Sequence, residues 1–334
     1  MNLEKRIIAF AKLGDILRNK PKDKLLEAVH KAEKHNGWFT GENIFLAQSS
    51  LGKMLEEKNL RKWLSKYKIS NINKEKKIGV IMAGNIPMVG FHDFLCVLMS
   101  GNIFIGKLSS DDEYLLPAIA DILIELEPKF KSLISFTKSP VKSVDAYIAT
   151  GGNNSARYFE YYFRKYPHII RKNRNAIAVL NGKETSEDLK KLGNDIFQYF
   201  GLGCRNVSKI FIPEDYDLDK VFSAIVDFGD VIHHNKYFNN YNHYRSIYML
   251  GKEKFLDNHF LLMKETKQIA SPVATLYYER YKSNEELSEQ LENEKGNIQC
   301  IVSANSSVKF GQTQSPQLWD YADCVDTMEF LLNL

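Results

Sequence analysis

Apolar residues recur at three- and four-residue steps through residues 1–70. Ile44, Ala47, Leu51, Met54 and Leu55 fall on one helix face, and Trp63, Leu64 and Tyr67 extend the stripe. The spacing predicts a layer of helices with its apolar stripes turned inward. Residues 71–77 are polar and read as a linker. Beyond them the pattern changes. Short apolar runs at 78–82, 103–105, 132–136, 145–149 and 176–180 predict strands, with helical patterns between them at 87–100, 115–126, 155–166 and 189–200. Strands alternating with helices of this length predict βαβ units and a parallel, doubly wound sheet. Such sheets bind ligands beyond the carboxyl ends of their strands. Gly84-Asn85, Lys107 and Gly151-Gly152 all fall there. Further on, 207–213, 247–250, 273–278 and 297–303 read as strands and 283–294 as a charged, exposed helix.

A chain of 334 residues suggests two domains or one large one. With 44% hydrophobic and 26% charged residues, it can bury a sizeable core without covalent staples. Lys and Arg number 45 against 41 Asp and Glu, a net charge of +4. That balance is too mild for a nucleic-acid partner and suits a small anionic ligand. No run approaches the roughly 20 apolar residues of a membrane span, and the first ten residues lack the pattern of a signal peptide. The expectation is therefore a cytoplasmic protein.

Cys96, Cys204, Cys300 and Cys324 form no Cys-x-x-Cys pair and show no zinc spacing, so reduced thiols and no metal are expected. His233, His234 and His243 lie in an aromatic, Asn-rich stretch without an acidic partner at ligand spacing, and read as surface or substrate-loop residues. Cys96 in an apolar helix and Cys300 in an apolar strand read as core thiols. Cys204 differs. It follows Gly201-Leu202-Gly203, where a helical run ends and a strand begins. A helix usually stops with glycine just past its end, which alone accounts for Gly201. Two glycines also strip side chains from the approach to the thiol, and a thiol exposed at such a bend can meet a substrate.

Several stretches, in this order, resemble the aldehyde dehydrogenase superfamily and, within it, the acyl-CoA reductases typified by the fatty-acid reductase of bacterial bioluminescence. They are Ala83-Gly84-Asn85-Ile86-Pro87; residues 100–110, ending in Lys107-Leu108-Ser109-Ser110; Ala149-Thr150-Gly151-Gly152; and Gly203-Cys204. More particular to the reductase branch are residues 234–241, Ala270-Ser271-Pro272-Val273, and Leu318-Trp319-Asp320-Tyr321-Ala322-Asp323 with Val325-Asp326-Thr327. The resemblance runs from about residue 78 to the end.

It implies an α/β, aldehyde-dehydrogenase-like fold. A doubly wound cofactor-binding domain with N-terminal helices (residues 1–175) would precede an α/β catalytic domain (176–334). The implied activity is reduction of an acyl-CoA, long-chain by resemblance, to an aldehyde. Cys204 would be the nucleophile, with the Asn85 amide and the Cys204 backbone N–H gripping the oxyanion. Lys107, with Ser109 and Ser110 beside it, would hold the adenosine ribose or its 2′-phosphate. Relatives that prefer NAD place a Glu three residues beyond this Lys, where this chain has Ser110; the exchange removes repulsion toward a 2′-phosphate and points to NADPH, with NADH still admissible. Gly151 and Gly152 would let the backbone approach the cofactor, although a plain strand-to-helix turn explains them nearly as well.

Gln268 replaces the Glu that grips the nicotinamide ribose. The general-base Glu of the oxidising enzymes is absent around residues 168–172, where His168 stands near its place. Hydrolysis of an acyl-enzyme needs a base and hydride reduction does not, which favours reduction over aldehyde oxidation. A non-catalytic assembly subunit is the third reading. A homo-oligomer and an acyl-donating partner enzyme are both compatible with the family.

Overall fold

The computed structural model describes residues 1–19, 23–69 and 75–334. Most of the expected linker, residues 71–74, lies outside the described residues. The chain divides into two compact units, residues 1–173 with 316–334, and residues 174–315.

The first unit opens with the predicted helices: α1 (Leu3–Arg18), α2 (Asp23–His35), α3 (Gly41–Met54) and α4 (Glu57–Leu64). Asn2 and Thr40 start α1 and α3, each accepting a backbone N–H of the first turn. The stripe turns inward as expected, with Ile44, Ala47, Leu55, Trp63 and Leu64 buried. There follow β1 (Lys77–Ile81), α5 (Phe91–Ser100), β2 (Ile103–Lys107), α6 (Leu115–Leu126), β3 (Ile134–Thr137), β4 (Ala146–Thr150), α7 (Asn153–Phe163) and β5 (His168–Arg171). The strands lie in the order β3-β2-β1-β4-β5 and every pair is parallel. Successive residues of β2 face opposite sides of the sheet. Phe104 meets Phe94 of α5 edge-on at 5.0 Å, while Ile105 packs with Tyr147 and with Phe163 of α7. Both faces are covered, as a doubly wound sheet requires.

The second unit contains β6 (Asn175–Val179), α8 (Ser186–Phe197), β7 (Val207–Pro213), α9 (Asp219–Ala224), α10 (Asn235–Leu250), β8 (Leu256–Asp257), β9 (Leu262–Glu265), β10 (Thr275–Tyr281), α11 (Asn284–Asn293) and β11 (Ile298–Val302). Its sheet runs β11-β6-β7-β10-β9-β8 and is parallel except for β8 against β9.

Three expectations are corrected. Residues 247–250 are the last turn of α10, not a strand; Tyr237, Tyr241 and Tyr248 bury one side of that helix. The helix expected from residue 87 begins at Phe91, because Met88 takes a left-handed backbone (φ 59°) and gives its N–H to Asp112 at 2.7 Å. The division expected at 175/176 falls at 173/174, and residues 316–334, expected in the second domain, pack with the first. Buried and half-buried hydrogen bonds hold them there. Trp63 Nε1 donates to Tyr321 Oη at 2.7 Å, Tyr67 Oη donates to Asp326 at 2.7 Å, and the Leu318 carbonyl meets His92 Nε2 at 3.0 Å. The last helix, α12 (Thr327–Leu332), starts at Thr327, whose hydroxyl accepts from Arg171 at 2.9 Å. Arg171 also makes a two-pronged, buried ion pair with Asp93 of α5. Strands β5 and β9 escaped the apolar pattern, being four residues each with a charged or polar residue among them.

Candidate active site

In the first unit every predicted residue lies at a carboxyl strand end. Gly84 and Asn85 follow β1, Lys107 closes β2, and Gly151 and Gly152 follow β4. A Cβ at Gly84 would come within 2.6 Å of Ser109 Oγ, so only glycine lets the loops after β1 and β2 lie this close. Asn85, beside it, is exposed. Asp112 anchors the far side of that loop through the Met88 amide. Burial pushes the Asp112 carboxyl up to about 6, opposed by the Met88 and Leu115 amides.

Gly151 packs against α7, since a Cβ there would sit 2.9 Å from Ser155 Cβ. Gly152 is the N-cap of α7 and no side chain caps that helix. A Cβ at Gly152 would meet only the Asn173 side chain, no nearer than 3.8 Å. The start of α7 is therefore open, with first-turn amides suited to an anion.

Beside α7 lies a cavity of about 640 Å³. Tyr158, Phe159 and Tyr162 of α7 line it with Ile81, Lys107 and Lys142, and among the described residues no Asp or Glu does. Flat rings and two ammonium groups fit an adenine base carrying phosphate. These residues would hold the adenosine end of a nicotinamide dinucleotide. Ser110 is exposed, and its carbonyl meets His35 Nε2 at 2.6 Å.

The second unit presents its residues at the opposite strand ends. Cys204 lies in the loop entering β7, and Gln268 in the loop between β9 and β10, which leads into the parallel neighbour of β7. Cys204 and Gln268 are both exposed. Helix α8 stops at Phe197, not at 200. Tyr199 (φ 52°), Phe200 (φ 58°) and Gly201 (φ 77°) then run left-handed in succession. For the two aromatic residues this costs on the order of 1–2 kcal/mol each. Burial of the Tyr199 ring and stacking of Phe200 on His234, 4.1 Å between ring centres, offset it.

Buried side chains fix this loop. Asn206 accepts the Gly203 N–H at 2.8 Å and points its amide at the carbonyls of Gln198 (2.8 Å), Asp195 (3.1 Å) and Ile196 (3.4 Å). The Asp195 carboxylate accepts from the Gly311 and Thr313 amides and the Thr313 hydroxyl. Burial pushes its pKa up against the pull of those donors. Sequence reasoning passed over Asn206, Asp195 and Thr313. The one available signal was the habit of Asn of bonding nearby backbone.

The Gln268 loop is held from β7. Lys209 Nζ donates to the Lys267 carbonyl at 3.0 Å and Ser208 Oγ to that of Ile269 at 2.8 Å. Lys209 is wholly buried and paired with Glu279; burial pushes its pKa down against that partner.

Cys96 is buried, and burial raises its thiol pKa well above the ordinary value. Cys300 is half-buried and Cys324 exposed. His168 stands exposed on β5, its Nδ1 2.8 Å from the Tyr166 carbonyl. Among the described residues no three His, Cys, Asp or Glu side chains gather to hold a metal, and no helix is long and apolar enough to cross a membrane.

A five-stranded parallel sheet with a strand-end crevice, and a second sheet whose entry loop carries a thiol, define an aldehyde-dehydrogenase-like α/β protein. Solved structures share the fold. Aldehyde dehydrogenase 21 from Physcomitrella patens, in complex with the reaction product succinate, is 12% identical over 100% of this chain and 84% of that one, with a TM-score of 0.70. The NAD+ complex of an aldehyde dehydrogenase from Bacillus cereus is 12% identical over 90% and 72%, TM-score 0.63. The propionaldehyde dehydrogenase of the Clostridium phytofermentans fucose utilisation bacterial microcompartment is 10% identical over 91% and 79%, TM-score 0.61. No curated protein sequence matches. The acyl-CoA reductase (LuxC) family matches residues 23–225, more than half of the chain, and the protein belongs to that family. It is an acyl-CoA reductase or aldehyde-related oxidoreductase.

Proposed function

We propose that the protein reduces a long-chain acyl-CoA to the aldehyde with NADPH, through a thioester on Cys204. The observation that carries this reading is the exposed Cys204 thiol, on a loop immobilised by buried hydrogen bonds, in a chain of the acyl-CoA reductase family. The Cys204 thiolate attacks the acyl carbonyl, the tetrahedral oxyanion collapses, and CoA leaves as its thiolate, so the acyl group changes sulfur without a change of oxidation state. By the family resemblance, the donors for that oxyanion would be the Cys204 backbone N–H and the Asn85 amide. Bound nicotinamide supplies the hydride that takes the thioester to the aldehyde level. The thiohemiacetal oxyanion so formed re-forms its C=O bond as the C–S bond breaks, which releases the aldehyde and leaves the Cys204 thiolate to take up a proton.

Lys107 and Lys142 at the aromatic cavity support a phosphorylated adenosine. A lining without a carboxylate among the described residues, together with Ser110, supports the 2′-phosphate form. Gln268 hydrogen-bonds the nicotinamide ribose without charge.

The test is direct. Incubation with palmitoyl-CoA should add one acyl group to Cys204 by mass spectrometry, and NADPH should then discharge it as aldehyde. Cys204→Ala should abolish both signals. Acylation at another residue, or none in the parent, would sink the reading.

A further inference from the structure

We infer that Asn206 is the positioning residue that sets the acyl-transfer geometry of Cys204. The inference builds on the reading of Cys204 as nucleophile and adds the device that aims it. Helix α8 ends just before the thiol loop, and a helix end leaves carbonyls without intrahelical partners. Asn206, 2% exposed, turns its amide to three carbonyls of that end, those of Asp195, Ile196 and Gln198. Its side-chain oxygen takes the Gly203 N–H, and its own N–H returns to the Gly203 carbonyl at 2.9 Å. Both polar groups of the residue just before the thiol are thereby committed to one residue, the N–H to the Asn206 side chain and the carbonyl to its backbone. The Gly203–Cys204 peptide, which carries the Cys204 N–H, starts from that clamped residue.

The clamp closes into a ring. Arg205 Nε donates to the Thr313 carbonyl at 2.6 Å. The Thr313 amide and hydroxyl donate to the Asp195 carboxylate at 3.0 and 2.8 Å, and the Asp195 carbonyl accepts from Asn206. Asp195 and Thr313 are 1% and 0% exposed. Hydrogen bonds on both sides of Cys204 thus lead back to Asn206. Such a ring does little to the existence of the thiol and much to the direction of its backbone.

This separates two reactions at one sulfur. Alkylation by iodoacetamide is a displacement that develops no oxyanion, so it needs only an accessible thiol. Acyl transfer develops an oxyanion that must meet aligned donors. In the full-length protein, Asn206→Ala and the near-isosteric Asn206→Asp are compared with Leu192→Ala, a cavity on the buried face of α8 that removes no member of the ring. Acyl transfer from palmitoyl-CoA to Cys204 should fall by about 10²-fold in both Asn206 variants, the scale of a misplacement near 1 Å. Alkylation of Cys204 should stay within about twofold of the parent, and Leu192→Ala, though lower in Tm, should acylate normally.

Unchanged acyl transfer in Asn206→Asp overturns the inference. So does a loss shared equally by alkylation and acylation, or matched by Leu192→Ala at equal Tm loss, because the effect is then one of stability. A parent that alkylates but never acylates Cys204 rejects the functional reading itself.

Discussion

The two units place their candidate residues at opposite ends of their parallel strands. In the first, Gly84, Asn85, Gly151 and Gly152 follow strands and Lys107 ends one, where the chain leaves the sheet toward a helix. In the second, Cys204 and Gln268 precede strands, where the chain arrives from a helix or a neighbouring strand. The ends differ electrostatically. A helix start offers unpaired N–H groups and a positive pole; a helix end offers carbonyls and a negative one. The first arrangement suits a phosphate with little more than glycines to clear its way. The second gives a nucleophile nothing, so side chains must supply both the hydrogen bonds and the fixation. The left-handed Tyr199 and Phe200, the Asn206 amide and the Asp195 carboxylate are the consequence. The rule that open α/β sheets bind at carboxyl ends describes the first unit and misses the thiol of the second.

Three experiments sharpen or break this contrast. Asn85→Ala carries the largest expected effect. On the proposed reading of its amide as an oxyanion donor, which only the family resemblance implies, its loss should slow acyl transfer to Cys204 by about 10²–10³-fold. Cofactor binding, followed by fluorescence titration, should not move. Equal acylation rates in variant and parent would confine the acyl chemistry to the second unit.

Lys107→Met comes next. Losing a charge-assisted contact worth about 1.5–3 kcal/mol should raise the KM for NADPH by roughly ten- to a hundredfold. The KM for NADH should change less, and the acylation rate by palmitoyl-CoA not at all. An equal rise for both cofactors would remove Lys107 from 2′-phosphate recognition.

The smallest effect belongs to Asp112→Asn, behind the Asn85 loop. The carboxyl titrates at about 6 in the folded protein against an ordinary 3.8. The folded state therefore holds that proton more tightly than the unfolded chain. The resulting stabilisation is full below about pH 4 and is lost as pH rises through about 6. An amide has no charge to desolvate, so the Tm of the variant relative to the parent should climb by a few degrees between those limits. A constant difference across that range would mean that the carboxyl ionises as if exposed.

Much of the first unit was legible in local pattern. Strands β1 and β4 shifted by no more than one residue, the helix 115–126 matched, and the glycines stood at strand ends as their spacing required; in the second unit the strand 207–213 matched too. Where reading failed, the signal was short or mixed. Strand β5 begins at an exposed His168, and the apolar residues at the end of α10 look the same in a helix turn or a strand until Tyr237, Tyr241 and Tyr248 are seen buried together.

By itself the sequence determined the alternation of strands and helices, the glycines that clear the strand ends, and a thiol at a helix-to-strand bend. These are local properties, set by side-chain periodicity and by the backbone freedom of glycine. Tertiary structure alone decided that residues 316–334 pack with the first unit, that Lys107 and Lys142 share an aromatic cavity with α7, and that Asp195 meets Thr313 across more than a hundred residues. Each of those depends on groups distant in the chain satisfying one another out of water. That pairing leaves no periodic trace along the sequence, because only burial makes an unpaired polar group costly.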